Sequence, residues 1–126
     1  MKKIVIWGAG EMAKALKKCF DLSQVTIVAY VDSDVEKHGK YLDNAEIISP
    51  LDLLNLEFDL IFISSVKYQD EIFVELKKLG INRSKIVLAT VTNVEMANIM
   101  DILTDKGMLY LSHIATTVRQ EIRYKK

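Results

Sequence analysis

Cysteine occurs once among the 126 residues, at Cys19, so the chain can hold no internal disulfide framework and no cysteine-based zinc site. The two histidines, His38 and His113, stand far apart and do not suggest a metal site. Proline also occurs once, at Pro50, and no Gly/Ser-rich stretch marks a linker. Charge of one sign is not in excess, with 17 Lys+Arg against 17 Asp+Glu. A general nucleic-acid binder usually carries a basic surplus, so nucleic acid is not an expected partner. No apolar run reaches the roughly 18 residues of a membrane span. Met1-Lys2-Lys3 is basic, but Gly8 and Glu11 interrupt the apolar run after it, and no signal-peptide pattern forms. A reducing cytoplasm is therefore the default expectation. A complete two-domain dehydrogenase would need a far longer chain.

Half of the residues are hydrophobic and 27% are charged, a composition that folds around a core. There is no internal repeat or low-complexity tract. Ile4-Val5-Ile6-Trp7 reads as a strand covered on both faces, and Glu11 to Phe20 as a helix with Ala13, Leu16 and Phe20 on one stripe. Val25 to Val31 is a second strand, Glu46-Ile47-Ile48 a short third, and Ser49-Pro50 opens a short helix. Leu60 to Ile63 is a fourth strand. Gln69 to Leu79 is a helix with acids at its start, lysines at its end and Gly80 as its stop. Lys85 to Ala89 is the fifth strand. This alternation predicts an α/β fold with a doubly wound, mostly parallel five-stranded sheet, order 3-2-1-4-5, across residues 1–90.

Residues 91–126 read as a C-terminal helical extension of the same domain. Thr92 and Glu95 form a capping-box pattern for a helix from about Asn93 to Thr104. Asp105-Lys106-Gly107 reads as a break. Leu111, Ile114, Ala115, Val118 and Ile122 then make a helical stripe, although Met108 to Leu111 could instead form a sixth strand.

The sharpest signal is Gly8-Ala9-Gly10-Glu11-Met12-Ala13, a G-x-G-x-x-G/A pattern between a predicted strand and a predicted helix. Gly8 can adopt backbone angles closed to other residues, Gly10 leaves room for a phosphate, and Ala13 lets the helix lie close to the sheet. The free N–H groups at the helix start favour an anion. Asp32, at the end of the second strand, is placed to accept hydrogen bonds from ribose hydroxyls and to repel a 2′-phosphate. Asp34 adds a second acid. These features point to NAD, or another nucleotide, as the ligand. The blander alternative is a tight turn followed by an ordinary loop. Glu11 must face away from the ligand, or the ligand must be less anionic than NAD.

Ser64 and Ser65 end the fourth strand and either line the ligand crevice or cap backbone groups. Lys67 and Tyr68 follow in the same loop. Trp7 is expected in the core or a pocket wall, and Cys19 in the core. His38, His113 and Tyr68 are the only candidates for acid–base work. No Tyr-x-x-x-Lys pair, Walker A loop or Gly-x-Ser-x-Gly elbow is present. The pattern is that of a binding loop without an identifiable reaction centre.

These residues resemble the small Rossmann-like domains of bacterial sugar-nucleotide and surface-polysaccharide proteins. Such domains stand at the N-termini of sugar acetyltransferases and nucleotide-sugar epimerases or dehydratases. The resemblance is carried by Lys3 to Gly10, Ala29-Tyr30-Val31-Asp32-Ser33-Asp34, Ser49 to Leu54, Asp59 to Ser64, and Leu76 to Ile81 before Lys85-Ile86-Val87. It implies a UDP-sugar as the alternative ligand, with Gly8, Gly10, Asp32 and Asp34 at the uridine and its phosphates. Catalysis would then come from another domain or subunit. Two other readings stay open: an NAD-dependent sugar oxidoreductase complete only as a homo-oligomer, and an interaction module with a vestigial glycine loop whose tail stripe docks a partner.

Overall fold

The computed structural model describes the backbone of residues 1–124 and the side chains through residue 120. At its centre lies β1 (Lys2–Trp7), whose last four residues are buried. Its side chains alternate between two clusters, Ile4 and Ile6 on one face and Val5 and Trp7 on the other. That alternation is the period-two pleat, and burial of both sets makes the strand read as one apolar run.

Parallel neighbours flank β1: β2 (Val25–Val31) on one side and β5 (Leu60–Ile63) on the other. Beyond β2 lies β4 (Ala45–Ile48), and beyond β5 lies β6 (Ile86–Val87), both also parallel. An antiparallel edge strand, β3 (Tyr41–Leu42), completes the sheet in the order β3-β4-β2-β1-β5-β6. The five expected strands thus keep their 3-2-1-4-5 order, and the sheet gains a sixth. At two residues, β3 is too short to show a side-chain period. It forms through a hairpin whose Asp43 takes a left-handed φ of 56°. The register slips once, between Ile4 and Val5, leaving Val28 without a partner on β1.

One face of the sheet carries α1 (Glu11–Lys17), α3 (Asn93–Ile99) and the start of α4 (Asp105–Tyr124). Here Ala13, Leu16, Ile99 and Leu111 pack with Phe20 and Phe62. The two phenyl rings meet edge to face at 4.8 Å. The opposite face carries the 3₁₀ segment Pro50–Asn55 and α2 (Gln69–Lys78), buried through Leu53 and Leu76. A Schellman motif ends α2: Gly80, at φ 85°, donates to Lys77 O at 3.0 Å, and Ile81 donates to Leu76 O at 3.1 Å.

Several boundaries move from the sequence expectation. The first helix stops at Lys17, because Lys18 to Phe20 turn away so that Phe20 can bridge to Leu103. Pro50 opens a 3₁₀ segment, and Arg83–Lys85 forms another that takes Lys85 from the last strand, which runs over Ile86–Val87 and ends before Leu88. The capping box of α3 is present, but the α-helix ends at Ile99 and Met100–Ile102 tightens to 3₁₀. Asp105-Lys106-Gly107 is not a break. Thr104 caps the last helix, accepting from Gly107 N at 2.9 Å, so the interruption falls before Asp105. Gly107 serves close packing instead: a Cβ there would lie 2.7 Å from Cys19 Cα. Met108 to Leu111 is helical, which removes the alternative strand. Of the tail stripe, Leu111 and Ala115 are buried and Ile114 and Val118 half-buried, while the side chain of Ile122 lies outside the described residues. Among the described residues, no helix is long and apolar enough to cross a membrane.

Candidate functional site

At the carboxyl end of the sheet the chain leaves β1 for α1 in one direction, while β5 extends the sheet in the other. The strand order reverses there, and a crevice opens. Gly8 takes φ 124°, and its N–H donates to Val31 O at 2.6 Å, which fastens the turn to the end of β2. A side chain on Gly8 would collide with the hydroxyl of Ser64. Ser64 is buried and doubly tied to β1, donating to Trp7 O from N at 3.1 Å and from Oγ at 2.8 Å. Its hydroxyl therefore braces the glycine turn.

Gly10 differs in kind. It caps α1 in an extended conformation, and nothing lies within 4 Å of the place a Cβ would occupy. Ala9 is half-buried, Met12 is largely exposed, and Ala13 is fully buried against the sheet. Glu11 points to solvent and pairs with Lys14 at 3.2 Å. The opening residue's charge is thus turned outward, as an anionic ligand at this turn requires. With seven residues, α1 has a modest dipole, so any attraction for phosphate rests on the free N–H groups of its first turn.

Asp32 follows β2. One carboxylate oxygen accepts from Asp34 N at 2.9 Å, and the other lies 3.6 Å from Lys37 Nζ. His38 Nε2 sits 2.6 Å from the Asp32 carbonyl oxygen, which spends this histidine on the loop. Asp34 in turn caps the 3₁₀ turn Val35–Lys37.

A cleft of ≈ 290 Å³ runs between the glycine turn and α2. Trp7, Gly8, Asp32, Ser64, Ser65 and Tyr68 line it, so six residues singled out in the sequence meet in one place. Ser65 also turns the loop, its Oγ accepting from Tyr68 N at 3.1 Å. Lys67 does not line the cleft; its ammonium lies 5.2 Å from the Tyr68 ring centre. His113 is on α4, exposed and outside the cleft. Cys19 is buried in the core, and burial raises its thiol to about 11, so it is not a nucleophile at neutral pH.

Sequence reasoning missed the far wall. Glu71, Ile72 and Glu75 of α2 also line the cleft. Their i, i+1, i+4 spacing, opening just after a strand end, was the available signal. With Asp32 they give the cleft three carboxylates, and no lysine or arginine among the described residues lines it. Gln69 anchors this wall: its amide donates to Thr90 Oγ1 at 2.9 Å and accepts from Thr90 N at 3.3 Å. The cleft's carboxylates do not converge on a metal site: among the described residues, no three His, Cys, Asp or Glu side chains are grouped so that they could hold a metal ion.

The arrangement is a Rossmann-like crevice, and comparison with solved structures agrees. The chain is similar to UDP-D-quinovosamine 4-dehydrogenase from Vibrio fischeri, at 21% identity and a TM-score of 0.52, over 86% of this chain and 98% of that one. It is similar to RSP, a Rex-family repressor, at 11% identity and a TM-score of 0.56, over 94% of this chain and 64% of that one. A structure of RSP with β-NAD⁺ and operator DNA gives 12% identity and a TM-score of 0.54, over 96% and 62%. The chain spans less than two thirds of the repressor's length. At these identities the likeness is one of fold. No curated protein matches the chain. The family model for the N-terminal domain of C2185-like proteins matches residues 1–87.

Proposed function

The chain belongs to the C2185-like family through residues 1–87, and we propose that it is a nucleotide-binding domain whose ligand is NAD. The observation that carries this reading is the pairing of a braced turn at Gly8 with open space at Gly10, beside the cleft that contains Asp32. A tight turn alone would need Gly8. It would not need Gly10, whose backbone any residue can adopt.

The diphosphate would meet the N–H groups of the first turn of α1 over Gly10. Asp32 would accept from the ribose hydroxyls with the lone pairs that Asp34 and Lys37 leave free. The cleft between Trp7, Tyr68 and α2 would take the far end of the ligand. Its carboxylates, Glu71 and Glu75, suit a neutral or positively charged ring, as in nicotinamide, better than a further anionic group. That a structural neighbour was solved with β-NAD⁺ supports the choice of cofactor.

A UDP-sugar is the second reading, favoured by the likeness to a dehydrogenase of a UDP-sugar. It shares the diphosphate and a ribose, and its hydroxyl-rich sugar also suits an acidic wall. Under either reading a role in sugar-nucleotide or surface-polysaccharide metabolism, a cytoplasmic setting and a catalytic partner domain or subunit belong to the proposal. An oxidoreductase acting as a homo-oligomer would draw on Tyr68 or Glu71, both of which line the cleft. His38 is held at the Asp32 carbonyl and His113 stands apart.

Trp7 is the sole tryptophan and lines the cleft, so its fluorescence reports occupancy. Titration with NAD, NADH, NADP and UDP-glucose, checked by calorimetry, tests the proposal. Saturable binding of NAD is expected. Binding of UDP-glucose alone would transfer the site to the second reading, and binding of none of the four would refute both.

A further inference from the structure

The position of Asp32 at the end of β2 predicts that a 2′-phosphate is turned away, yet in the fold this carboxylate does not stand alone. An extended chain would carry Lys37, five residues on, about 16 Å from it. The 3₁₀ turn Val35–Lys37 folds the chain back instead. The Asp34 carboxylate accepts from Glu36 N at 3.0 Å, and Lys37 N donates to Asp34 O at 3.0 Å. Lys37 Nζ thereby comes to 3.6 Å from Asp32 Oδ2, and His38 fastens the end of the turn at the Asp32 carbonyl oxygen.

The two charges are held unequally. The other oxygen of Asp32 accepts from Asp34 N at 2.9 Å, and its side chain is 19% exposed. The Lys37 side chain is 40% exposed, and at 3.6 Å its contact with Asp32 is a charge attraction longer than a hydrogen bond. The ammonium is therefore free to turn toward a more strongly charged group, as a lysine on its flexible stem does for phosphate. The Asp34 carboxylate is committed to the turn, and Glu36 is exposed on it. Ser33, next to Asp32, also lines the cleft and brings a hydroxyl donor.

We propose that Lys37 is a specificity-determining residue of the nucleotide site: it offsets the charge of Asp32 and takes up the 2′-phosphate, so that the domain binds NADP as well as NAD. The proposal rests on the reading of this crevice as a dinucleotide site. With NAD, the ammonium stays beside Asp32, which accepts from both ribose hydroxyls. With NADP, the ammonium swings to the phosphate and Asp32 keeps the 3′-hydroxyl.

The test is calorimetric titration of the parent chain, Lys37→Gln and Lys37→Arg with NAD and with NADP at one ionic strength. The parent should bind the two nucleotides within about tenfold of each other. Lys37→Gln should hold NAD within about twofold and weaken NADP by about tenfold, the worth of one charged hydrogen bond, and Lys37→Arg should restore NADP. A parent that binds NAD but discriminates against NADP by more than about a hundredfold would overturn the proposal. So would a Lys37→Gln protein that weakens both nucleotides alike, the mark of a purely structural role in the turn. Either result leaves the dinucleotide reading in place, because NAD is bound; a parent that binds neither nucleotide removes both.

Discussion

Changing the two glycines of the loop one at a time separates folding from binding. At Gly8, alanine would be forced to φ 124° and its methyl would strike the Ser64 hydroxyl. A side chain held in so sparsely populated a region costs about 1–3 kcal/mol. Displacing Ser64 Oγ from Trp7 O removes a buried hydrogen bond, a further loss of about 1–3 kcal/mol. The sum, ~2–6 kcal/mol, would lower the melting temperature of a chain this size by roughly 8 °C or more. At Gly10, valine meets nothing within 4 Å. Replacing a helix N-cap glycine costs up to ~1 kcal/mol, and the reduced freedom of the unfolded chain returns about as much. Gly10→Val should therefore melt within a few degrees of the parent and yet lose NAD binding, because its branched side chain fills the space the phosphate needs. Urea unfolding gives the first quantity and Trp7 fluorescence titration the second. A Gly10→Val protein that binds as the parent does, or that is as destabilised as Gly8→Ala, would refute the assignment of roles.

Asp32→Ala should weaken NAD by about tenfold through lost charged hydrogen bonds while lowering the melt by only a few degrees, the worth of its bonds to Asp34 N and Lys37; calorimetry decides. Leu76→Ala should destabilise the chain by about 2–5 kcal/mol, since Leu76 is fully buried under α2; a loss below about 1 kcal/mol in urea would show that α2 is not anchored as described. Cys19 and Tyr30 carry raised values of about 11 and about 12, against 9.0 and 10.0 for the free groups. The folded state holds these protons longer than the unfolded one, so their contribution is intact below pH 9 and is lost as the pH climbs toward 12. Denaturant melts at about pH 8 and about pH 11 should show a clear fall, and constant stability across that span would contradict the burial. A labelled DNA duplex at physiological salt should show no retardation, in keeping with balanced charge.

The central sheet is legible in the sequence because burial on both faces writes itself as apolar runs, as in Ile4 to Trp7 and Leu60 to Ile63. The glycine pattern is legible because its flanking strand and helix can be read with it. What escapes are features fixed by tertiary contact. A two-residue β3 has no period, and its hairpin depends on Asp43 entering a conformation that the residue type tolerates but does not announce. Gly107 reads as a stop because close packing on Cys19 leaves no local mark. Thr104 reads as the end of one helix although it caps the next. The acidic wall of the cleft is hidden because Glu71 and Glu75 read equally well as the solvated face of α2. Ser64 has two readings, lining and capping, and the fold uses it for both: it faces the cleft while its hydroxyl braces β1.

The layer formed by α3 and α4 has a consequence for how the protein can be made. Phe20, Phe62 and Val87 are packed with Ile99, Ile102, Leu103 and Leu111, and those last four lie beyond the family segment. During synthesis the sheet is finished before its cover has been translated, and for that interval a greasy flank faces water. A fragment stopped at residue 87 would keep that flank bare permanently, and should be recovered as insoluble material even though it contains every strand.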